Sequence, residues 1–313
     1  MKNSVKRHAS ALTAVLACLA LALVLYHSLA GGTLLQSSPY NSYALQAENW
    51  LAGRNNIANG ENYTWLELAI YQGRYYQSFP PVPAVLMLPF VAAAGEWSAI
   101  PGNLIAMGLA LLCAGGVYAC CMRGGMQPVT CAFFTLFVSM GSNVFWMSTS
   151  DGVWFLAQVC ALGFAFWGLF FAQGGNAVQD AAASLCMALA VGCRPFYALL
   201  LACWLGWQFY QRRSLKRILP ALLPAVVMAA CMMAYNFARF GSVTEFGHNY
   251  LPEFVRAENG QFSLTYLVPN LLQLLRPVTL DAQGQLHFEI YNGFLFFAAN
   301  PLFLLAMVRG LLL

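Results

Sequence analysis

Three carboxylates and a small set of cations are the residues of this chain whose type and setting could do chemistry. Glu48 and Glu67 lie among the rings of Tyr40, Tyr43, Trp50, Tyr63, Trp65, Tyr71, Tyr75, Tyr76 and Phe79, with Arg54 and Arg74 in the same stretch. Aromatic faces pack on the apolar faces of sugars and carboxylates accept hydroxyl protons, so this stretch suits a sugar or a lipid headgroup. Tyr and Trp also gather at membrane interfaces, and an anchoring belt would account for part of the pattern. Asp151 stands between two apolar runs, where it could orient an acceptor, bind a divalent cation or cap the helix expected from about Val153. Arg194 is the one basic residue inside an apolar segment. Burying it is costly, so it is either functional, with a guanidinium fork suited to phosphate, or it snorkels from a short helix end. Arg239 and His248, with Glu245 and Tyr250, follow a span end and could close over a site. His248 has no second ligand at metal spacing, and no metal site is assigned.

The elements that must position these groups are membrane helices. Sixty per cent of the 313 residues are hydrophobic and 8% are charged, against about a quarter charged in soluble domains. Apolar runs of about 20 residues recur, each long enough to cross a hydrocarbon core of about 30 Å. The net charge of +4 is read as orientation charge, and no nucleic-acid binding is inferred from it. The ten cysteines all fall in apolar segments, away from any disulfide or metal pattern, and read as small buried hydrophobes. No Gly-rich nucleotide loop is present.

The expected architecture is an all-α polytopic membrane domain over 1–313. Residues 9–30 form the first span, read as a retained anchor because it exceeds the usual apolar length of a signal peptide. Residues 31–100 form an external loop with an amphipathic juxtamembrane helix from Tyr43 to Leu51 and an interfacial segment at 82–94. Further spans occupy 103–237: Asn103 to Cys121, Pro128 to Met147, Val153 to Phe171, two short helices meeting near Arg194-Pro195, and Leu219 to Phe237. A second external loop covers 238–290 and a last span 291–307.

This arrangement places Lys2, Lys6, Arg7, Arg123, Arg212, Arg213, Lys216, Arg217 and Arg309 inside with one acid, Asp180. Arg54, Arg74, Arg239, Arg256 and Arg276 face outward with the other acids. Lys and Arg set orientation, so the N-terminus is expected in the cytoplasm, and a bacterial plasma membrane is the expected setting.

The run Tyr43-Ala44-Leu45-Gln46-Ala47-Glu48-Asn49-Trp50-Leu51-Ala52-Gly53-Arg54, followed by Gly73-Arg74-Tyr75-Tyr76-Gln77-Ser78-Phe79-Pro80-Pro81-Val82-Pro83, resembles the first luminal loop of GT-C membrane glycosyltransferases, including their protein O-mannosyltransferase-like branch. The likeness extends to Asp151 at the outer end of a later helix, to Gly192-Cys193-Arg194-Pro195 and to Tyr235-Asn236-Phe237-Ala238-Arg239-Phe240-Gly241-Ser242. It implies a GT-C-like helical bundle with juxtamembrane helices on a large first loop. The implied activity moves a sugar from a polyprenyl-phosphate donor to a hydroxyl of a glycan, lipid or protein acceptor at the extracytoplasmic face. Catalysis then falls to Glu67, Glu48 and Asp151, and substrate binding to Arg74, Tyr75, Tyr76, Arg194, Arg239 and His248. The family commonly carries an acid just after the first helix, where this chain has Ser37-Ser38-Pro39-Tyr40-Asn41, so Glu67 or Glu48 is expected to serve as base. A lipid or glycolipid transporter, or a catalytically silent protein of the same fold, are the alternatives.

Overall fold

The computed structural model describes residues 2–255, 258–260, 263–287, 304–305 and 308–310. The chain is mostly helical, 70% helix with 4% strand, so it is not purely α as expected. Among the described residues, four helices are long and apolar enough to cross a membrane. They belong to α1 (Lys2–Leu29), α4 (Gly102–Arg123), α7 (Val153–Ala172) and α10 (Leu215–Phe240). The chain is an integral membrane protein by this length and composition.

Between these long helices lie shorter elements. The first loop contains α2 (Ser42–Leu51), a hairpin of β1 (Leu68–Tyr71) and β2 (Arg74–Gln77), and α3 (Val82–Ala94). The thirteen residues of α3 rise about 20 Å at 1.5 Å per residue, short of the hydrocarbon core. Helix α2 is not the surface amphipath expected for Tyr43 to Leu51, because Tyr43, Ala44, Leu45, Gln46, Ala47 and Asn49 are all buried. A second departure lies between Pro128 and Met147, which is not one continuous span. It divides into α5 (Pro128–Met140) and α6 (Val144–Met147). Ser142 Oγ donates to the Val138 carbonyl and accepts from the Val144 amide, so the side chain competes with the helical backbone there. The helices on either side of Arg194-Pro195 are α8 (Ala177–Val191) and α9 (Ala198–Arg212).

Small residues let the long helices approach. Gly163 of α7 faces Cys113 of α4, Gly116 of α4 faces Trp167, and Gly168 faces Met187 of α8. Between apolar helices in lipid, such close backbone approach supplies the van der Waals contact that apolar burial supplies in water. Around these contacts Ala106, Ala157, Ala161 and Ala190 are buried.

The bundle has two chemically different ends. At one, His8 of α1 meets the Tyr118 hydroxyl at 3.1 Å, Gln173 donates to the Cys120 carbonyl, and Arg212 pairs with buried Asp180 at 2.6 Å. At the other, α2, the hairpin and the N-termini of α4 and α7 come together.

Residues 1–251 form one compact unit and 252–313 a second. The second contains α11 (Pro252–Val255), α12 (Leu267–Leu274) and a hairpin of β3 (Thr279–Leu280) and β4 (Leu286–His287). The expected last span at 291–307 lies outside the described residues apart from Leu304 and Leu305.

Candidate functional site

The hairpin turns at Gln72-Gly73, both with positive φ (49° and 71°), as a two-residue turn matched to strand twist requires. Alternation along β2 then sends Tyr75 and Tyr76 to opposite faces. Tyr75 packs against Ile57, and Gly60 lies so close to its ring that a Cβ there would overlap it. Tyr76 is buried against Phe240, ring centroids 5.2 Å apart. Arg74 sits exposed beside the turn. Tyr75 is therefore a packing residue and Arg74 lies apart from the remaining candidates.

After β2, three consecutive residues each touch a candidate group. The Gln77 carbonyl accepts from Arg239 Nη1 at 2.6 Å. Ser78 Oγ donates to the Glu67 carbonyl at 3.0 Å. The Phe79 ring lies 5.6 Å from the Arg194 guanidinium and 6.4 Å from both the Tyr43 and His248 rings. The segment from Gln77 to Phe79 is buried, and it gathers Glu67, Arg194, Arg239 and His248 from four separate parts of the chain.

Arg239 belongs to the last turn of α10 rather than to the loop expected to start there. Tyr235, Asn236, Arg239 and Phe240 share its inward face at i, i+1, i+4 and i+5. Arg239 is 5% exposed, donates through Nη2 to Asn236 Oδ1 at 3.0 Å, and lies 3.8 Å from the Tyr235 ring centroid. Arg194 leaves the end of α8 and donates through Nη2 to the Trp154 carbonyl at 2.8 Å. Among the described residues neither guanidinium has a carboxylate at salt-bridge distance. Glu245 acts on Arg239 only through space, its oxygens being bound by the Gly247 amide and Asn249 Nδ2. Among the described residues the Nε atoms of both arginines and the hydroxyls of Tyr43 and Tyr235 are buried without a hydrogen-bond partner. Burial pushes the Tyr43 phenol well above its ordinary value, with the Arg194 charge opposing that rise. A hydrogen-bond acceptor that reached these donors would satisfy them, and an anionic one would be favoured beside the guanidiniums.

Glu67 completes this cluster, accepting the Trp154 indole N–H at 3.3 Å. Glu48 turns elsewhere. Its Oε1 accepts the Trp97 amide at 3.2 Å and it lines a cleft with Leu51, Val91 and Ala92.

Asp151 is fully buried, yet its carboxylate does not cap α7, whose cap residue is Gly152. It accepts from Ser37 Oγ (2.6 Å), the Ser38 amide (2.7 Å) and Asn41 Nδ2 (2.6 Å). Its own amide donates to Asn103 Oδ1, and Asn103 Nδ2 donates to the Thr33 carbonyl. Burial raises the carboxyl above its ordinary value and the three accepted hydrogen bonds pull it back. Asp151 thus ties the chain after α1 to the starts of α4 and α7. Among the described residues no three His, Cys, Asp or Glu side chains come together as a metal site.

Trp154 belongs to this site without being singled out by the sequence, whereas Gln77, Tyr43 and Tyr235 stand there only as members of the quoted runs. Trp154 lies in an apolar run, where an indole reads as an interface anchor.

No protein-family model, no curated protein and no solved structure matches the chain.

Proposed function

We propose that the protein is a membrane glycosyltransferase that takes a sugar from a polyprenyl-phosphate donor and passes it to an acceptor hydroxyl. The observation that carries the reading is the convergence of Arg194 and Arg239, neither ion-paired among the described residues, on the segment that also binds the Glu67 main chain. A departing lipid phosphate needs cationic and hydrogen-bonding groups, and the two guanidiniums with the Tyr43 and Tyr235 hydroxyls offer both. The acceptor hydroxyl needs a base, and Glu67 is linked to Arg194 through Trp154, whose indole N–H it accepts and whose carbonyl Arg194 binds. The lipid tail is accommodated along α10, where Leu219, Leu223, Val226, Val227 and Met233 are exposed on the helix that ends in Arg239. The reading sets the site at the extracytoplasmic face and the N-terminus in the cytoplasm, and the positive-charge rule supports this through Arg123, Arg212 and Arg213 at the other end of the bundle.

The test is release of free polyprenyl phosphate from a panel of polyprenyl-phosphate sugars by the purified protein. Release with one donor class supports the reading. Well-folded protein that releases nothing from any donor, with or without added divalent cation, overturns it.

A further inference from the structure

Trp154 is held by both groups that the proposed reaction needs. Its indole N–H donates to Glu67 Oε2 at 3.3 Å, and its main-chain carbonyl accepts Arg194 Nη2 at 2.8 Å. The ring itself is braced. Tyr40 packs on it with centroids 5.5 Å apart, and the Tyr40 carbonyl accepts the amide of Val153, one residue earlier. Tyr40 and Val153 in turn flank the Asp151 network, since Asn41 and Ser38 both donate to that carboxylate. The indole is therefore fixed by the first turn of a long helix and by the loop that Asp151 clamps.

We infer that Trp154 is a positioning residue, one that sets the orientation of the Glu67 carboxylate and its spacing from the Arg194 guanidinium. The inference rests on the transferase reading, and it deepens that reading by naming a residue that touches neither the sugar nor the phosphate. The two arms are chemically separable. The indole N–H belongs to the side chain and can be deleted, whereas the carbonyl that holds Arg194 survives any substitution. A donated N–H stabilises the ionised form of the carboxylate that accepts it. Removing it makes Glu67 easier to protonate, takes away one of the contacts that orient its carboxylate, and leaves the phosphate arm in place.

Two variants delete the N–H while keeping an aromatic ring. Trp154→Phe does so with a smaller ring, and replacing the indole by benzothienylalanine does so at nearly constant volume, which guards against misfolding of the first. The pH at which Glu67 protonates is read by infrared difference spectroscopy, with Glu67→Gln as the blank. That blank removes the contributions of Arg194, Arg239, His248, Glu245, Tyr43 and Tyr235, the other charged or titratable groups around the cluster. The expected result is a rise of about one pH unit in both variants, with the Kd for polyprenyl phosphate within about twofold of wild type. If the donor assay works, the acid limb of kcat moves to higher pH by the same amount. A residue that only fills space would lower the thermal midpoint and leave the Glu67 titration where it was. That outcome, in either folded variant, overturns the inference. Failure of wild type to release polyprenyl phosphate overturns the transferase reading instead, and the infrared titration still decides whether Trp154 orients Glu67.

Discussion

Arg239 Nη1 donates to the main-chain carbonyl of Gln77 at 2.6 Å, across 162 positions of sequence. The bond joins the last turn of a membrane-length helix to the residue where the hairpin ends. Arg239→Lys keeps the charge but loses the fork that reaches Gln77 and Asn236 together. A hydrogen bond from a charged group contributes roughly 1.5–3 kcal/mol. The expected outcome is a 10- to 100-fold weaker Kd for polyprenyl phosphate, with a lowered thermal midpoint because Gln77 and Asn236 lose a donor. Binding titrations and thermal melts in detergent check the two effects separately. Unchanged affinity would remove Arg239 from the phosphate site.

Glu67 and Glu48 separate by the same logic. Glu67 is tied to Trp154 in the arginine cluster, while Glu48 is engaged with the Trp97 amide. Glu67→Gln is expected to lower kcat by about 10²- to 10⁴-fold, the usual contribution of a general base, with Kd for the lipid phosphate nearly unchanged. Glu48→Gln is expected to retain turnover within a few-fold. Single-turnover release of polyprenyl phosphate measures both. The reverse pattern would move the base to the cleft beside α3.

The membrane class and the long helices were legible in the sequence because length and apolarity alone define them. The break at Arg194-Pro195 was legible for a similar reason, since proline cannot continue the hydrogen-bond ladder of the preceding helix. The cluster itself was only partly so. Arg194 stands out in an apolar run, and Glu67 was noticed for its aromatic neighbours. Nothing local to Gln77, however, announces that Arg239 will bind its carbonyl, because that contact depends on how far α10 extends beyond the apolar run. The sequence Ser37-Ser38-Pro39-Tyr40-Asn41 drew notice for lacking a carboxylate. In the structure these residues supply the donors that a carboxylate elsewhere, Asp151, accepts. Helix α2 was placed at the membrane surface because its polar residues suggested two faces, but Asn49 is buried and satisfied by the Leu45 carbonyl and the Arg54 guanidinium.

Asp151 gives a pH dependence with a definite sign. Its folded pKa lies above the ordinary 3.8 because burial outweighs three accepted hydrogen bonds. The folded state then holds the proton more tightly than the unfolded one, so the protonated form adds stability that is lost as pH rises from about 3.8 through the raised folded value. Asp151→Asn removes this titration. It also sets an amide N–H against donors from Ser37, Ser38 and Asn41, a mismatch of roughly 1–3 kcal/mol. Melts across the acid range are expected to show wild type ahead of the variant, with the gap narrowing as pH rises through that window. A gap that widens instead would show that hydrogen bonding, not burial, dominates the carboxyl.

Gly102 opens α4 directly against this network. A Cβ built there overlaps the Asp151 carboxylate and presses on Ser37 Oγ, which is itself bonded to that carboxylate. The obstruction is a fully buried group held on three sides, so it has no flexible end to swing aside. Overpacking of this kind costs roughly 1–3 kcal/mol, and more where the neighbours cannot move. Gly102→Ala is therefore expected to lower the thermal midpoint by several degrees, whereas Gly108→Ala, where nothing lies within 4 Å, is expected to leave it unchanged. Because the loop clamped by Asp151 carries Tyr40 against Trp154, Gly102→Ala should also reduce donor turnover at temperatures well below its midpoint. Turnover that falls only in step with unfolding would limit the Asp151 network to stability and detach it from the site.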